Sequence, residues 1–272
     1  MTPVQVTVEE IYNESEEEYQ ALLDAVDESL HPRGPDMLYD KFAGFHPTPN
    51  SVVLDLGCRD AAHACELSRR FGCRVVGVDL IDANIARAHR RIADGRLEDR
   101  VQMIQGDILQ LPLADAAFDF IWCRDVLGHM SDLHLTFATC ARVLKPGGRM
   151  LNFHVFATEM LLPEEAAELM PPLAIVPQTM KRSFYEDAVS AAALSVIEAD
   201  VLSSEWREYR EERDDRGTST QLLRIAHIRR NYAHLVARFG EKDVACELAN
   251  CHYGVYQMLG KLCAVVYTLE KA

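Results

Sequence analysis

The sequence predicts an α/β protein built on a doubly wound, mainly parallel sheet, and three observations carry that prediction. Val52, Val53, Leu54 and Leu56 form a short aliphatic run around one acid, Asp55, which suits a strand buried on both faces. Gly57 breaks the run before a helical pattern over 61–70 that sets Ala64, Leu67 and Phe71 on one side. A second apolar strand over 73–78 follows Gly72 and ends on Asp79. Strand, glycine turn, helix, strand and terminal acid make half of a nucleotide-binding sheet, with a ligand expected above the first turn. Asp79 lies close to the ~20-residue offset at which such folds place an acceptor for ribose hydroxyls. Dinucleotide enzymes share this pattern, so it does not by itself choose a ligand.

The other elements follow in order. Residues 1–13 carry no strong pattern. Ser15 is placed to cap a helix over 16–29, with Glu16, Glu17 and Glu18 in its first turn, where the helix dipole favours acids. Tyr19, Leu22, Leu23, Val26 and Leu30 mark its expected buried side. His31-Pro32-Arg33-Gly34-Pro35 reads as a turn, and Pro35 suits the first turn of a short helix through Met37, Leu38, Phe42 and Ala43. Tyr39 on that helix is either a packing residue or a ligand contact. After Asp79, Asp82 or Asn84 starts a helix over Ile85, Ala88 and Ile92, and the five arginines between 87 and 100 read as a solvated face. A third strand over 101–104 leads to Gly106-Asp107-Ile108, a turn over 111–115 and a fourth strand over 118–123. A helix then runs from 126–130 through Val143. Leu144-Lys145-Pro146-Gly147-Gly148 closes it before a fifth strand over 149–156. Strands alternating with helices at this spacing give a parallel sheet.

The second half is read more coarsely. Residues 158–177 hold four prolines and a short acidic helix over 164–170. A helix over 183–194 and a sixth strand over 194–202 follow. The charged stretch 203–217 extends that strand or forms an exposed connection. Two amphipathic helices, 218–238 and 241–256, precede a last strand over 262–269.

Composition narrows the class. The 272 residues are enough for a substantial core, and 42 acids against 28 bases leave a formal net charge of −14. That balance argues against a nucleic-acid backbone or an anionic membrane as the main partner. None of the eight cysteines forms a CxxC pair, and several lie in apolar runs, so neither a zinc site nor a disulfide framework is expected. The start lacks the flanks of a secretory signal, and no run approaches the ~18 apolar residues of a membrane span. The expectation is a soluble protein of the reducing cytoplasm; its oligomeric state is not legible.

Four stretches carry a resemblance: VVLDLGC at 52–58, VVGVD at 75–79, GDILQLPLADAAFDFIWCRDVLGHM at 106–130 and LKPGGRM at 144–150. In order and spacing they resemble the class I S-adenosylmethionine-dependent methyltransferases that act on small molecules. The resemblance implies a Rossmann-like, seven-stranded sheet whose last strand is antiparallel, with helical cap insertions. It divides the chain into an N-terminal helical cap segment over 1–49, a cofactor-binding core over 50–157, and a remainder over 158–272. Substrate-cap helices are expected at about 158–177 and 218–256, all within one structural domain. It also implies roles. Gly57 lets the backbone approach the methionine part of the cofactor, Cys58 beside it is a further cofactor contact, and Asp55 orders that turn. Asp79 accepts from both ribose hydroxyls, as charge-assisted bonds. Asp107 accepts from the adenine amino group, with Ile108 and Leu80 on the two faces of the ring. Cys123 and Arg124 lie beside the methionine moiety, and Tyr39 is carried as a further cofactor contact.

Two features set this chain apart from the family pattern. Where the family continues Gly-Cys-Gly-x-Gly, this chain has Gly57-Cys58-Arg59-Asp60-Ala61. Ala61 is a mild change, because the third glycine mainly serves helix–strand packing. Arg59 adds a cation beside the expected cofactor carboxylate; it binds that group or pairs with Asp60 or Asp125. His129, just after the fourth strand, is a candidate base for a hydroxyl or amine, or a residue that starts the following helix. His154, at the end of the fifth strand, is the second candidate. The expected activity is methyl transfer from S-adenosylmethionine to O, N or C of a small molecule, with no metal. The alternatives are a non-methylating reaction such as cyclisation on the same fold, and a non-catalytic binding protein. A nicotinamide-dependent oxidoreductase is more distant.

Overall fold

The computed structural model describes residues 4–12, 15–110, 113–213 and 215–272. Met1–Pro32 and Arg33–Ala272 are separate compact units. The first holds α1 (Val8–Tyr12) and α2 (Glu16–Asp27). Ser15 caps α2 as expected, its hydroxyl accepting from the Glu18 amide at 3.1 Å. The apolar side expected of α2 is not buried: Tyr19, Leu22, Leu23, Val26 and Leu30 are all exposed.

In the second unit, α3 (Met37–Ala43) precedes β1 (Val52–Leu56), α4 (Ala62–Phe71), β2 (Arg74–Asp79), α5 (Asp82–Gly95), β3 (Val101–Gln105) and β4 (Phe118–Arg124). A 3₁₀ turn over Leu127–His129 leads to α6 (Leu133–Val143), β5 (Leu144–Ala157), α7 (Pro163–Leu169), α8 (Arg182–Ala191) and β6 (Leu194–Ser203). Then come α9 (Glu205–Glu212), α10 (Gly217–Arg230), α11 (Tyr232–Phe239), α12 (Glu241–Met258) and β7 (Leu262–Lys271). The seven strands lie in the order β3-β2-β1-β4-β5-β7-β6. β7 runs antiparallel between β5 and β6, and the other pairings are parallel. This is the Rossmann-like sheet with an antiparallel last strand. No described helix is long and apolar enough to cross a membrane.

The central strands are buried because apolar layers cover both faces. On one face, α3 inserts Leu38, Tyr39 and Phe42 beside Trp122 of β4, with the Tyr39 and Trp122 rings stacked at 5.0 Å. On the other, α6 and α8 bring Phe137 and Tyr185 against Ile121 and Met150. Fully burying one such side chain is worth about 1.5–3 kcal/mol. Gly72 ends α4 in the left-handed region at φ 71°, donating to the Ser68 carbonyl at 2.9 Å, which is why the helix stops there.

Several boundaries differ from expectation. The helix after β4 does not begin at 126–130; Asp132 caps α6, its carboxylate accepting from the Leu135 amide at 2.9 Å. The stretch 203–217 is neither strand nor open connection: α9 occupies most of it, anchored by buried Trp206, whose ring stacks on Phe153 at 4.4 Å. One anchor among alternating charges is enough for a surface helix, but it leaves no apolar period to read. The helix expected over 218–238 divides at Asn231. Leu111 and Pro112, of the turn expected over 111–115, lie outside the described residues.

Candidate active site

The turn after β1 places three alternate residues in the left-handed region, and only one of them is a glycine. Gly57, Arg59 and Ala61 all lie in the left-handed region, at φ 72°, 50° and 60°. A Cβ costs roughly 1–2 kcal/mol in that region, so Ala61 is a strained position and not merely a packing one. At Gly57 a Cβ would lie 2.0 Å from Val126 Cγ2, so close approach of the β4 loop demands the glycine.

The bonds that hold this turn explain where its residues point. Gly57 and Cys58 donate their amides to the Val78 carbonyl, at 2.9 and 3.0 Å. The Cys58 side chain is buried against Gly77 and Met103, so only its backbone faces the turn. The Arg59 amide donates to Asp79 Oδ2 at 2.9 Å. The Arg59 side chain is exposed and makes no hydrogen bond or ion pair among the described residues. Neither expected acid pairs with it, and Asp60 is taken by Arg91 at 2.5 Å. Asp79 Oδ1 accepts from the Ile81 amide and Asn84 Nδ2, both at 2.9 Å. Asp79 thus spends three of about four acceptor positions on its own chain.

The neighbouring strand ends supply the other predicted contacts. Asp107 accepts from the Leu109 amide at 2.9 Å, with Ile108 buried beside it, while Leu80 is exposed at the end of β2. Asp55 is buried, accepts from the Ala64 backbone, and leaves Oδ2 without a partner. Burial lifts its carboxyl to about 7. Cys123 faces the interior with Ile121 and Cys140, and its carbonyl is bonded by Asn152, so its side chain is turned away from the turn. Arg124 points back across the turn, to His63 at the start of α4.

A second region lies beyond β4 and β5. A cavity of about 160 Å3 opens between Asp125, His129 and Tyr253 on one side and Leu173, Ile175 and Met180 on the other. Four hydrogen bonds tie the 163–180 segment to the 3₁₀ turn after β4 and to β5. The Val176 amide donates to the Gly128 carbonyl at 2.9 Å, the Thr179 hydroxyl shares its one hydrogen between that carbonyl at 3.2 Å and the Val176 carbonyl at 2.7 Å, and His129 Nδ1 and His154 Nε2 lie 3.1 and 2.8 Å from the Ala174 and Thr179 carbonyls. A carbonyl only accepts, so His129 carries a hydrogen on Nδ1, and in the neutral ring the lone pair lies on Nε2. His154 is buried, stacks on Tyr185 at 5.3 Å and is held at a pKa of about 4 by burial. It is a neutral packing residue whose ring edge borders the cavity.

Sequence reasoning gives no site role to His63, Asp125, Arg207 or Tyr253. Asp125 sits at φ 56°, left-handed, just after β4. The surrounding protein raises its carboxyl above the usual range, against the pull of Arg124 and Arg207. Tyr253 comes from α12 and Arg207 from α9; nothing local in either helix marks them. A positive-φ aspartate at a strand end has no sequence signal of its own either.

Set beside known proteins, residues 54–152 match the family model described as a methyltransferase domain. The chain is 33% identical over 114 residues to the 27-O-demethylrifamycin SV methyltransferase of Amycolatopsis mediterranei, an alignment covering 42% of each protein. It therefore spans less than half the length of that relative. Among solved structures, the [4+2]-cyclase SpnF superposes with a TM-score of 0.68 at 22% identity, over 87% of this chain and 81% of that one. The geranyl diphosphate C-methyltransferase of Streptomyces coelicolor A3(2), solved with Mg2+, geranyl diphosphate and S-adenosyl-L-homocysteine, gives 0.65 at 19% identity, over 87% and 78%.

Proposed function

We propose that this chain, whose residues 54–152 are a class I S-adenosylmethionine-dependent methyltransferase domain, methylates a hydroxyl oxygen of a small molecule seated in the cleft. The residues fit that cofactor on two observations. Asp55 Oδ2 is a buried oxygen without a donor, and exposed Leu80 lies where an apolar ring face could rest on it. The Gly57 turn, Asp79, Asp107 and Ile108 would hold it, with Asp79 releasing the Arg59 amide to accept a second ribose hydroxyl. S-adenosylmethionine, when bound, supplies a methyl group already activated on a sulfonium.

The remaining work falls to the cleft. His129 carries the proposal: with Nδ1–H anchored on the Ala174 carbonyl, its Nε2 is fixed as a proton acceptor beside the cavity. A hydroxyl acceptor needs such a base, because its oxygen becomes a good nucleophile as the proton leaves. Leu173, Ile175 and Met180 exclude water and hold the acceptor's apolar body, so that orientation supplies much of the rate. The small cavity favours a small acceptor, or one end of a larger one. The acceptors in the names of two similar proteins, 27-O-demethylrifamycin SV and geranyl diphosphate, are small molecules too.

The test is transfer of a labelled methyl group from S-adenosylmethionine to a panel of alcohols, phenols, amines and carbon acids. Label on oxygen supports the proposal. Label on nitrogen or carbon alone removes His129 from its role as the base for a hydroxyl. A substrate converted without label would favour the reaction type named for the SpnF neighbour.

A further inference from the structure

We infer that Arg124 and Tyr39, joined through His63, form the seat for the carboxylate at the amino-acid end of the cofactor. The inference rests on the proposed S-adenosylmethionine site and moves a role expected of Arg59 to a different cation. Leu56 pairs with Cys123, so Arg124, the next residue, stands level with the Gly57 turn. Its Nη1 reaches across to within 2.8 Å of His63 Nε2, in the first turn of α4. His63 Nδ1 in turn lies 2.7 Å from the Tyr39 hydroxyl.

The direction of these bonds follows from the groups alone. A guanidinium only donates, so His63 Nε2 accepts, Nδ1 carries the hydrogen and the Tyr39 oxygen accepts it. Burial and the neighbouring Arg124 charge hold His63 at a pKa of about 4, so the ring stays neutral and the order does not reverse at ordinary pH. The chain therefore ends on a phenol hydrogen with no acceptor among the described residues. Arg124 forms no ion pair among them either, and its remaining N–H groups are uncommitted. Both donors are held against aromatic faces: Tyr39 stacks on Trp122 at 5.0 Å, and the Arg124 guanidinium lies 5.2 Å from the Trp206 ring. A cation and a hydroxyl donor, fixed on the two nitrogens of one imidazole beside the turn, complement a planar oxyanion. His63 touches no ligand in this arrangement; it is a positioning residue.

Calorimetry with S-adenosylhomocysteine and 5′-methylthioadenosine, which lacks the amino-acid end, tests this. The wild-type chain should prefer S-adenosylhomocysteine. Arg124→Met should weaken that ligand by about 10- to 100-fold, the scale of bonds to a charged group, and leave methylthioadenosine unchanged. Tyr39→Phe, which keeps the ring stack, should cost about 3- to 10-fold with the same selectivity. His63→Leu should behave like Tyr39→Phe, and His63→Asn, which restores a donor to Tyr39, should recover part of the loss. Equal losses for both ligands in folded variants would show packing alone and overturn the inference. So would a wild-type chain with no preference between them. A wild-type chain that binds neither ligand overturns the cofactor reading itself.

Discussion

The Gly57 turn and the cleft beside His129 sit at the same end of one sheet, yet they are put together differently. The turn bonds to its own neighbourhood: Gly57 and Cys58 to Val78, Arg59 to Asp79, Asp79 to Ile81 and Asn84. The partners in these bonds all lie between positions 57 and 84, Asp60 adds Arg91, and two of the turn's residues bear left-handed strain. The cleft collects the β4 loop, the end of β5, the 163–180 segment and α12, with hydrogen bonds that join residues 25 to 51 positions apart. The turn holds a left-handed backbone at Arg59 and Ala61, where neither residue is glycine. A site assembled from distant segments can change its ligand when any one segment does. The proposed roles, cofactor at the turn and acceptor in the cleft, would use that difference.

Four outcomes would sharpen or break this contrast. The largest is expected in the cleft. His129→Ala should slow the chemical step by ~10²–10⁴-fold and leave S-adenosylhomocysteine affinity intact, read by single-turnover kinetics and calorimetry. A matching loss of cofactor affinity would show the two regions to be one.

At the turn, Gly57→Ala should cost about 2–4 kcal/mol in denaturant unfolding, from left-handed strain plus overpacking. Adding Val126→Ala should return the overpacking part, because the added Cβ meets Val126 Cγ2. Simple additivity of the two changes would mean that the β4 loop does not press on the turn.

The regions should also titrate in opposite senses. His154, held at about 4 against ~6.5 unfolded, contributes stability that is fully present above the unfolded value and is lost as pH falls through 4. The loss is up to roughly 2–3 kcal/mol, and His154→Phe should abolish it. Asp55, raised to about 7 against ~3.9 unfolded, works the other way. Its contribution is fully present below the unfolded value and lost as pH rises through 7, and Asp55→Asn should flatten that limb. Thermal melts from pH 4 to 8.5 read both, and a single shared slope would contradict the assignment.

The smallest effect expected is a gain. Arg59→Gly should stabilise the chain by ~1 kcal/mol by relieving the φ 50° strain, and should leave S-adenosylhomocysteine affinity within about twofold if Arg124 carries the carboxylate. A tenfold loss of affinity would return that role to Arg59.

The sheet and the turn are legible in the chain's own local patterns. Val52–Leu56, Gly57, the β2 run ending in Asp79 and the Ser15 cap are signals carried by residues a few positions apart, and local backbone preference decides them. Even the left-handed shape at Arg59 and Ala61 belongs to a pattern whose first glycine is legible. Which side chains meet is a matter of tertiary packing. Cys123 and Arg124 are adjacent, but a strand turns successive side chains to opposite faces, so pairing with β1 sends the cysteine into the core and leaves the arginine over the turn. His63 and Tyr39 find each other, and Trp206 finds Phe153, only because α3, α4 and α9 dock where their apolar faces are buried. A contact between residues 24 or more positions apart is fixed by that packing, which no local pattern encodes.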